Sequence, residues 1–339
     1  MINPMTENLA ENRIRIGVLG AGRNATGHVK ALGQKPAAEI IAIADTVPEL
    51  AQTLADSCGA RACAHLGDFL DEVDAVVIST PSFLHPDQFQ EAAEAGKAVL
   101  LEKPMATNPG DAVRVAEIAS KTGVKTMIGF SVRFSGFVRE CLRGLEDGRL
   151  GALKSLTTRR HCQLHPDQVG GWLLDPKRSG GMMLEMNIHE IDWLMAVGGL
   201  VKTVDARCAP EDPRYPRMSD FCSALMEFEN GAMGLHDGGW KSPQPNFLKA
   251  VIGEKGGFGC NEWGDETYYA PNGQNRESVA AEPLDKHEHF LDVVAGRVQS
   301  ECDVAWSLEV HAVVESILAS AERREPVDVK TFKEEMKNV

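Results

Sequence analysis

The chain has 339 residues, 43% of them apolar and 25% charged, with a formal net charge of −14. That length exceeds what one core ordinarily holds, so two domains are expected. The acidic balance argues against nucleic acid or anionic membrane as partner, since both select basic surfaces. No apolar run approaches the ~20 residues of a membrane span. The polar, acidic stretch from Met1 to Arg13 lacks the basic start and apolar core of a secretion signal, so a cytoplasmic protein is expected. Eight cysteines, at 58, 63, 141, 162, 208, 222, 260 and 302, include no Cys-x-x-Cys pair and read as scattered reduced thiols.

Ile14 to Leu19 reads as a buried strand running into Gly20-Ala21-Gly22-Arg23-Asn24-Ala25 and a helix through about Leu32. This is G-x-G-x-x-A between strand and helix. Gly20 permits the turn, Gly22 lets a pyrophosphate approach the backbone over the helix N-terminus, and Ala25 is small enough for close packing. Arg23 and Asn24 lie in the same turn. A second strand, Glu39 to Ala44, ends at Asp45, at the spacing expected of an acid that binds a ribose 2′-hydroxyl. A carboxylate there repels a 2′-phosphate, which favours NAD over NADP.

The alternation continues. Helices are expected over 47–57, 86–95 and 109–121, with strands over 60–64, 74–79, 97–101 and 125–129. Strands alternating with helices imply a doubly wound parallel sheet, whose ligands bind outside the strand C-terminal ends. Gly20, Asp45, Thr80-Pro81 and Glu102-Lys103-Pro104 all fall at such ends. After residue 130 the pattern changes. Strands over 153–162, 201–208, 221–228, 232–236 and 248–252 follow one another, Asn230-Gly231 marks a hairpin, and two helices over 284–295 and 304–321 close the chain. An α/β Rossmann domain over 1–130 and an α+β domain with a large, mostly antiparallel sheet over 131–339 are expected.

The stretch Ser79-Thr80-Pro81-Ser82-Phe83-Leu84-His85, then Ala95-Gly96-Lys97 and Glu102-Lys103-Pro104, resembles the Gfo/Idh/MocA family of NAD(P)-dependent oxidoreductases, and the likeness runs from Ile14 to about Val327. The resemblance implies that Lys103 reaches the nicotinamide ribose and the substrate hydroxyl. It places Thr80, Pro81, His85 and Glu102 about the cofactor, and Arg133 and Trp172 in the substrate cleft. It further implies sugar, cyclitol or related polyol substrates, and a second domain that often makes oligomer contacts, so a homo-dimer or tetramer.

Gly180-Gly181 and the helix expected after it present Glu185, His189 and Asp192 at i, i+4 and i+7, within an arc of roughly 60°. Leu184, Ile188, Ile191 and Met195 fall on another face. A carboxylate and an imidazole one turn apart can handle protons. The stretch matches the family's catalytic helix, which implies that His189 exchanges a proton with the substrate hydroxyl. Glu185 stands where the family usually has aspartate, and Asp192 is a candidate for binding substrate or steadying the imidazole. His161 and His236 are candidates on strand position alone. No metal is expected: His161 and His165, if extended, stand about 13 Å apart. The expected reaction is hydride transfer between a secondary or anomeric alcohol and NAD(P). An NAD-dependent glycosidase using transient oxidation and a non-catalytic NAD-binding sensor are the alternatives.

Overall fold

The structure, a computed structural model, describes residues 13–163, 171–212, 215–260, 266–271 and 275–338. The N-terminal stretch before Arg13, and His165, lie outside the described residues. The chain divides into two units. The first is built from residues up to Ala106, Asp111–Gly129 and Asp285–Trp306, the second from Thr107–Gly110, Phe130–Leu284 and Ser307–Val339.

In the first unit β1 (Ile14–Leu19), α1 (Arg23–Leu32), β2 (Ala38–Ala44), α2 (Pro48–Asp56), β3 (Arg61–Cys63), β4 (Ala75–Ile78), α3 (His85–Glu94), β5 (Ala98–Leu101), α4 (Pro109–Thr122) and β6 (Thr126–Ile128) follow in turn. The six strands form one sheet in the order β3-β2-β1-β4-β5-β6, every pair parallel. β4 and β5 are buried along their whole length, because helices on both faces leave a central parallel strand no solvent side.

The second unit begins with α5 (Gly136–Glu146) and β7 (Leu153–Gln163), followed by α6 (Ile188–Gly198), β8 (Val201–Asp212), β9 (Tyr215–Phe228), β10 (Met233–Gly239), β11 (Lys241–Gly253), β12 (Gly256–Cys260), β13 (Thr267–Pro271) and β14 (Glu277–Val279). Then come α7 (Lys286–Val294), α8 (Val304–Arg323), β15 (Val327–Asp328) and α9 (Val329–Met336). The nine-stranded sheet runs β14-β13-β12-β11-β7-β10-β9-β8-β15. Its pairs are antiparallel except β7 with β10. One face is apolar and buried, with Leu156, Ala224, Met226 and Val251, while Leu225, Met233, Leu235 and Ile252 stand exposed on the other.

Three sequence expectations change here. The stretch 285–306 does not belong with the second unit. Its α7 carries His287 against His28 of α1, and the Cys302 Sγ and Ile128 carbonyl meet at 3.3 Å. α8 is long and apolar enough to span a bilayer by length and composition, yet it is a core helix, with Val310, Val313, Val314 and Ile317 buried. The short strands β12 to β15 have little apolar alternation to mark them, and the sequence reading misses them and also helix α9, although Val329, Phe332 and Met336 fall on one helical face.

Candidate active site

The strand order of the first sheet reverses between β1 and β4, and the crevice outside such a reversal is where open α/β sheets bind nucleotides. Gly20 follows β1 there with φ +97°, and a Cβ on it would lie 2.5 Å from the Ser79 carbonyl oxygen after β4. Only glycine fits both the backbone and the approach. A Cβ on Gly22 would meet nothing within 4 Å, and no side chain caps the N-terminus of α1. The first N–H groups of that helix are therefore free for a phosphate. Ala25 is fully buried, whereas Arg23 and Asn24 are exposed beside the turn. Asp45, just past β2, accepts from Ala21 N–H (2.7 Å) and Val47 N–H (2.8 Å), which fixes its carboxylate against the glycine turn. Open backbone donors, the helix N-terminus and an acid held alongside suit a dinucleotide with an unphosphorylated ribose.

Thr80 and half-buried Pro81 follow β4, and the Thr80 hydroxyl donates to Gln88 Oε1 (2.5 Å). His85 turns inward. Its ring is fully buried, with Nε2 3.0 Å from the Thr80 carbonyl and Nδ1 2.7 Å from the Pro104 carbonyl. The imidazole thus lies between the segment after β4 and the segment after β5, where a neutral ring can donate to only one of the two carbonyls. Burial lowers its pKa, against the pull of the two carbonyls.

Lys103, half-buried, follows β5 and precedes a cis peptide to Pro104. Glu102 beside it is buried and points into the domain. Its Oε1 lies 2.8 Å from His28 Nε2, its Oε2 accepts from Lys103 N–H (3.3 Å), and a Cβ on Gly129 would touch it. His28 Nδ1 in turn lies 3.0 Å from His287 Nε2. A carboxylate only accepts, so His28 Nε2 carries a proton. Burial works to raise the Glu102 pKa, but His28, Lys286 and Lys103 hold it well below the usual carboxylate range. Glu102 is therefore a buried anion that braces the Lys103 backbone. The sequence reading misses His28 and His287. A histidine on the buried face of α1 was the available signal.

In the second unit the helix expected from Gly180 is not a single regular helix. A four-residue turn, Pro176–Ser179, ends at Gly180 with φ +73°, and Gly181 follows with φ +85°. These glycines serve backbone conformations that other residues avoid, and both are buried, so they are not an open approach to the helix end. Met183–Asn187 is a π-turn, and α6 begins only at Ile188. Glu185 thus sits in the π-turn and His189 in the first turn of α6. Both side chains are half-buried, and the His189 ring meets the edge of Phe130 (centroids 6.3 Å apart, 77° between planes). Leu184, Ile188, Ile191 and Met195 are buried as expected.

Asp192 and Arg133 are candidates for substrate contact that the structure instead pairs with each other. Arg133 donates from Nε to Asp192 Oδ2 (3.1 Å) and from Nη2 to Oδ1 (2.5 Å), with side-chain exposures of 6% and 0%. Such a two-pronged buried pair anchors α6 to the 3-10 turn Ser131–Phe134. Trp172 is half-buried in the turn Gly171–Leu174. His161 stands on β7 with Nε2 3.2 Å from Asp237 Oδ1 and its ring edge-on to Phe221. His236 is fully buried on β10, beside Thr158 of β7, and burial lowers its pKa to about 4. No cluster of three or more metal-ligating side chains occurs among the described residues.

The sequence reading also misses Glu190, next to His189. Its Oε2 accepts from the Thr158 hydroxyl and from Trp193 Nε1–H, both at 2.6 Å, and Oε1 lies 3.3 Å from Arg160 Nη1. Burial works to raise its pKa, but Lys249, Arg160 and those two donors bring it below the ordinary value. This buried carboxylate pins the first turn of α6 to the sheet and so fixes the ring one residue earlier.

The strand reversal with its open glycine turn is that of a Rossmann-type nucleotide-binding unit, and the sheet-pinned histidine helix stands in the other unit. Residues 14–130 match the oxidoreductase family with NAD-binding Rossmann fold, GFO_IDH_MocA, and residues 138–259 match the GFO/IDH/MocA C-terminal domain. The chain belongs to that family. Over 183 residues it is 34% identical to inositol 2-dehydrogenase of Rhizobium meliloti, which is 53% of each chain, so it spans about half the length of that relative. It is 28% identical over 255 residues to scyllo-inositol 2-dehydrogenase (NAD(+)) of Bacillus subtilis, 73% of each chain. Among solved structures, the WlbA dehydrogenase of Bordetella pertussis, in complex with NADH and UDP-GlcNAcA, is 27% identical. It superposes with a TM-score of 0.80 over 93% of this chain and 98% of that one.

Proposed function

We propose that this chain transfers a hydride between a secondary or anomeric alcohol of a sugar, cyclitol or related polyol and a nicotinamide cofactor. The observation that carries the reading is the first unit. Gly20, Asp45, Thr80 and Lys103 all follow C-terminal ends of one parallel sheet, about its strand reversal, with an uncapped helix N-terminus among them. Family membership and the inositol dehydrogenases among its relatives supply the substrate class.

The cofactor, when bound, supplies the hydride acceptor. The protein's own groups do the rest. Gly22 and the first turn of α1 hold the pyrophosphate, and Asp45 takes the ribose hydroxyls and selects NAD over NADP. His189 removes the hydroxyl proton. Lys103 stabilises the alkoxide that develops. Glu185, in the π-turn, orients substrate or imidazole, and Trp172 lines the substrate side. Arg133 and Asp192 act by holding α6. We also assign the chain to the cytoplasm as a homo-oligomer. Leu225 faces Leu235 across β9 and β10, and Met233 and Ile252 flank Ser155 on the same exposed face, an apolar patch that a second copy would cover. Light scattering tests this, and a monomer at working concentration contradicts it.

The test of the activity is a screen of sugars and cyclitols with NAD⁺ and NADP⁺, read by the absorbance of the reduced nicotinamide. Turnover with at least one polyol is expected. Glycoside cleavage without net cofactor reduction would contradict the assignment.

A further inference from the structure

Eight cysteines are scattered along the chain, but two of them meet. Cys208 of β8 and Cys222 of β9 are direct partners in the antiparallel register, and both point to the helix-covered face of the sheet. The Cys208 thiol donates to Cys222 Sγ at a sulfur–sulfur distance of 2.7 Å. Opposed residues on antiparallel strands have Cα atoms about 4.5–5.5 Å apart, inside the range a disulfide tolerates. No strand need slide and no side chain need cross the sheet for these sulfurs to bond.

We propose that Cys208 and Cys222 form a dithiol modification site, converted to a cross-strand disulfide by a peroxide. Cys208 is half-buried and meets the oxidant, while Cys222 is 1% exposed and resolves it. The Cys208 sulfur attacks the peroxide O–O bond, becoming a sulfenic acid as one water leaves. The Cys222 sulfur then displaces the sulfenic oxygen as a second water, and the S–S bond forms. The two sulfurs give up two electrons and two protons, and one hydrogen peroxide becomes two waters.

Among the other six, Cys141 and Cys260 also interact electrostatically, but both are buried away from an oxidant. Cys141, Cys260 and Cys302 are buried, and the Cys302 thiol bonds the Ile128 carbonyl. The Cys58 thiol bonds carbonyls of its own helix, Leu54 and Ala55. The dithiol also lies close to the histidine helix. Cys222 pairs across β10 with Gly238, and a Cβ on Gly238 would lie within 1.9 Å of Asn187 Nδ2, in the π-turn before His189. A covalent tie here fixes β8 to β9, the neighbour of the strand that meets that turn.

The test treats the fully reduced full-length protein with graded hydrogen peroxide, then traps thiols and maps peptides. The expected product has lost two thiols and two hydrogens in mass, carries a peptide joining Cys208 to Cys222, and returns to eight thiols with dithiothreitol. C208S is expected to yield no such peptide, and oxidised wild type to melt higher than reduced while C208S shows no shift. Eight surviving thiols at peroxide levels that oxidise a reference dithiol would overturn the proposal. So would a bridge between other cysteines, or sulfinic acid on single cysteines. The mapping needs no variant and no substrate, so it stands apart from the dehydrogenase assay.

Discussion

Proton handling at this site divides among individual residues. Lys103→Ala and His189→Ala are each expected to lower turnover by ~10²-fold or more, the usual scale for a proton-transfer group. His189→Ala should leave NAD affinity unchanged in a fluorescence titration. Asp45→Ala, which removes the acid bonded to Ala21 and Val47, is expected to bring the kcat/KM ratio for NAD⁺ over NADP⁺ closer to one. An unchanged ratio would show that Asp45 does not select the cofactor. Buried imidazoles make stability pH-dependent. Burial lowers the His236 pKa to about 4, and burial with the nearby His28 lowers that of His287 to about 3. Below the unfolded value of ~6.5 the unfolded chain binds protons that the folded chain refuses, so stability falls as pH drops. Each ring contributes at most about 1.4 kcal/mol per pH unit over that window. Urea denaturation at pH 7, 6 and 5 should show the decline, and His287→Gln should flatten it.

At the scale of elements, α6 is held from two sides. Glu190 ties it to Thr158 and Arg160 of β7, and the Arg133–Asp192 pair ties it to the turn after β6. Arg133→Ala removes the two-pronged donor to buried Asp192, and breaking a buried pair typically costs about 3–5 kcal/mol. Chemical denaturation should show that loss, with m unchanged. The glycine turn after β1 and the strands that place Lys103 were legible because each obeys a local rule: a glycine pattern, an apolar run, a turn at a strand end. The π-turn was not legible, since no residue within Met183–Asn187 announces an extra residue per turn. It holds Glu185, the position where this chain departs from the family's usual aspartate. Arg133, Glu102 and His85 are placed near ligands by the family resemblance, and Asp192 by its position on the helix stripe. Their partners lie 59 residues apart in one case and 74 in another, and spacing along the chain cannot show such pairings.

At the scale of the molecule, the cofactor-side groups occupy one unit and the histidine helix the other, each with its own sheet. Fold class and the change from parallel to mostly antiparallel sheet could be read from the alternation of elements. The return of α7 to the first unit could not, because its apolar face matches either core. The His28–His287 contact decides it. The central proposal is that a hydride leaves the carbinol carbon of a polyol for the nicotinamide ring. Its most direct measurement uses a polyol turned over in the screen, deuterated at the oxidised carbon, with unlabelled NAD⁺. Deuterium on C4 of the reduced nicotinamide, appearing ~10²-fold more slowly with His189→Ala, is the expected result. Substrate conversion that leaves the cofactor oxidised and unlabelled would contradict it.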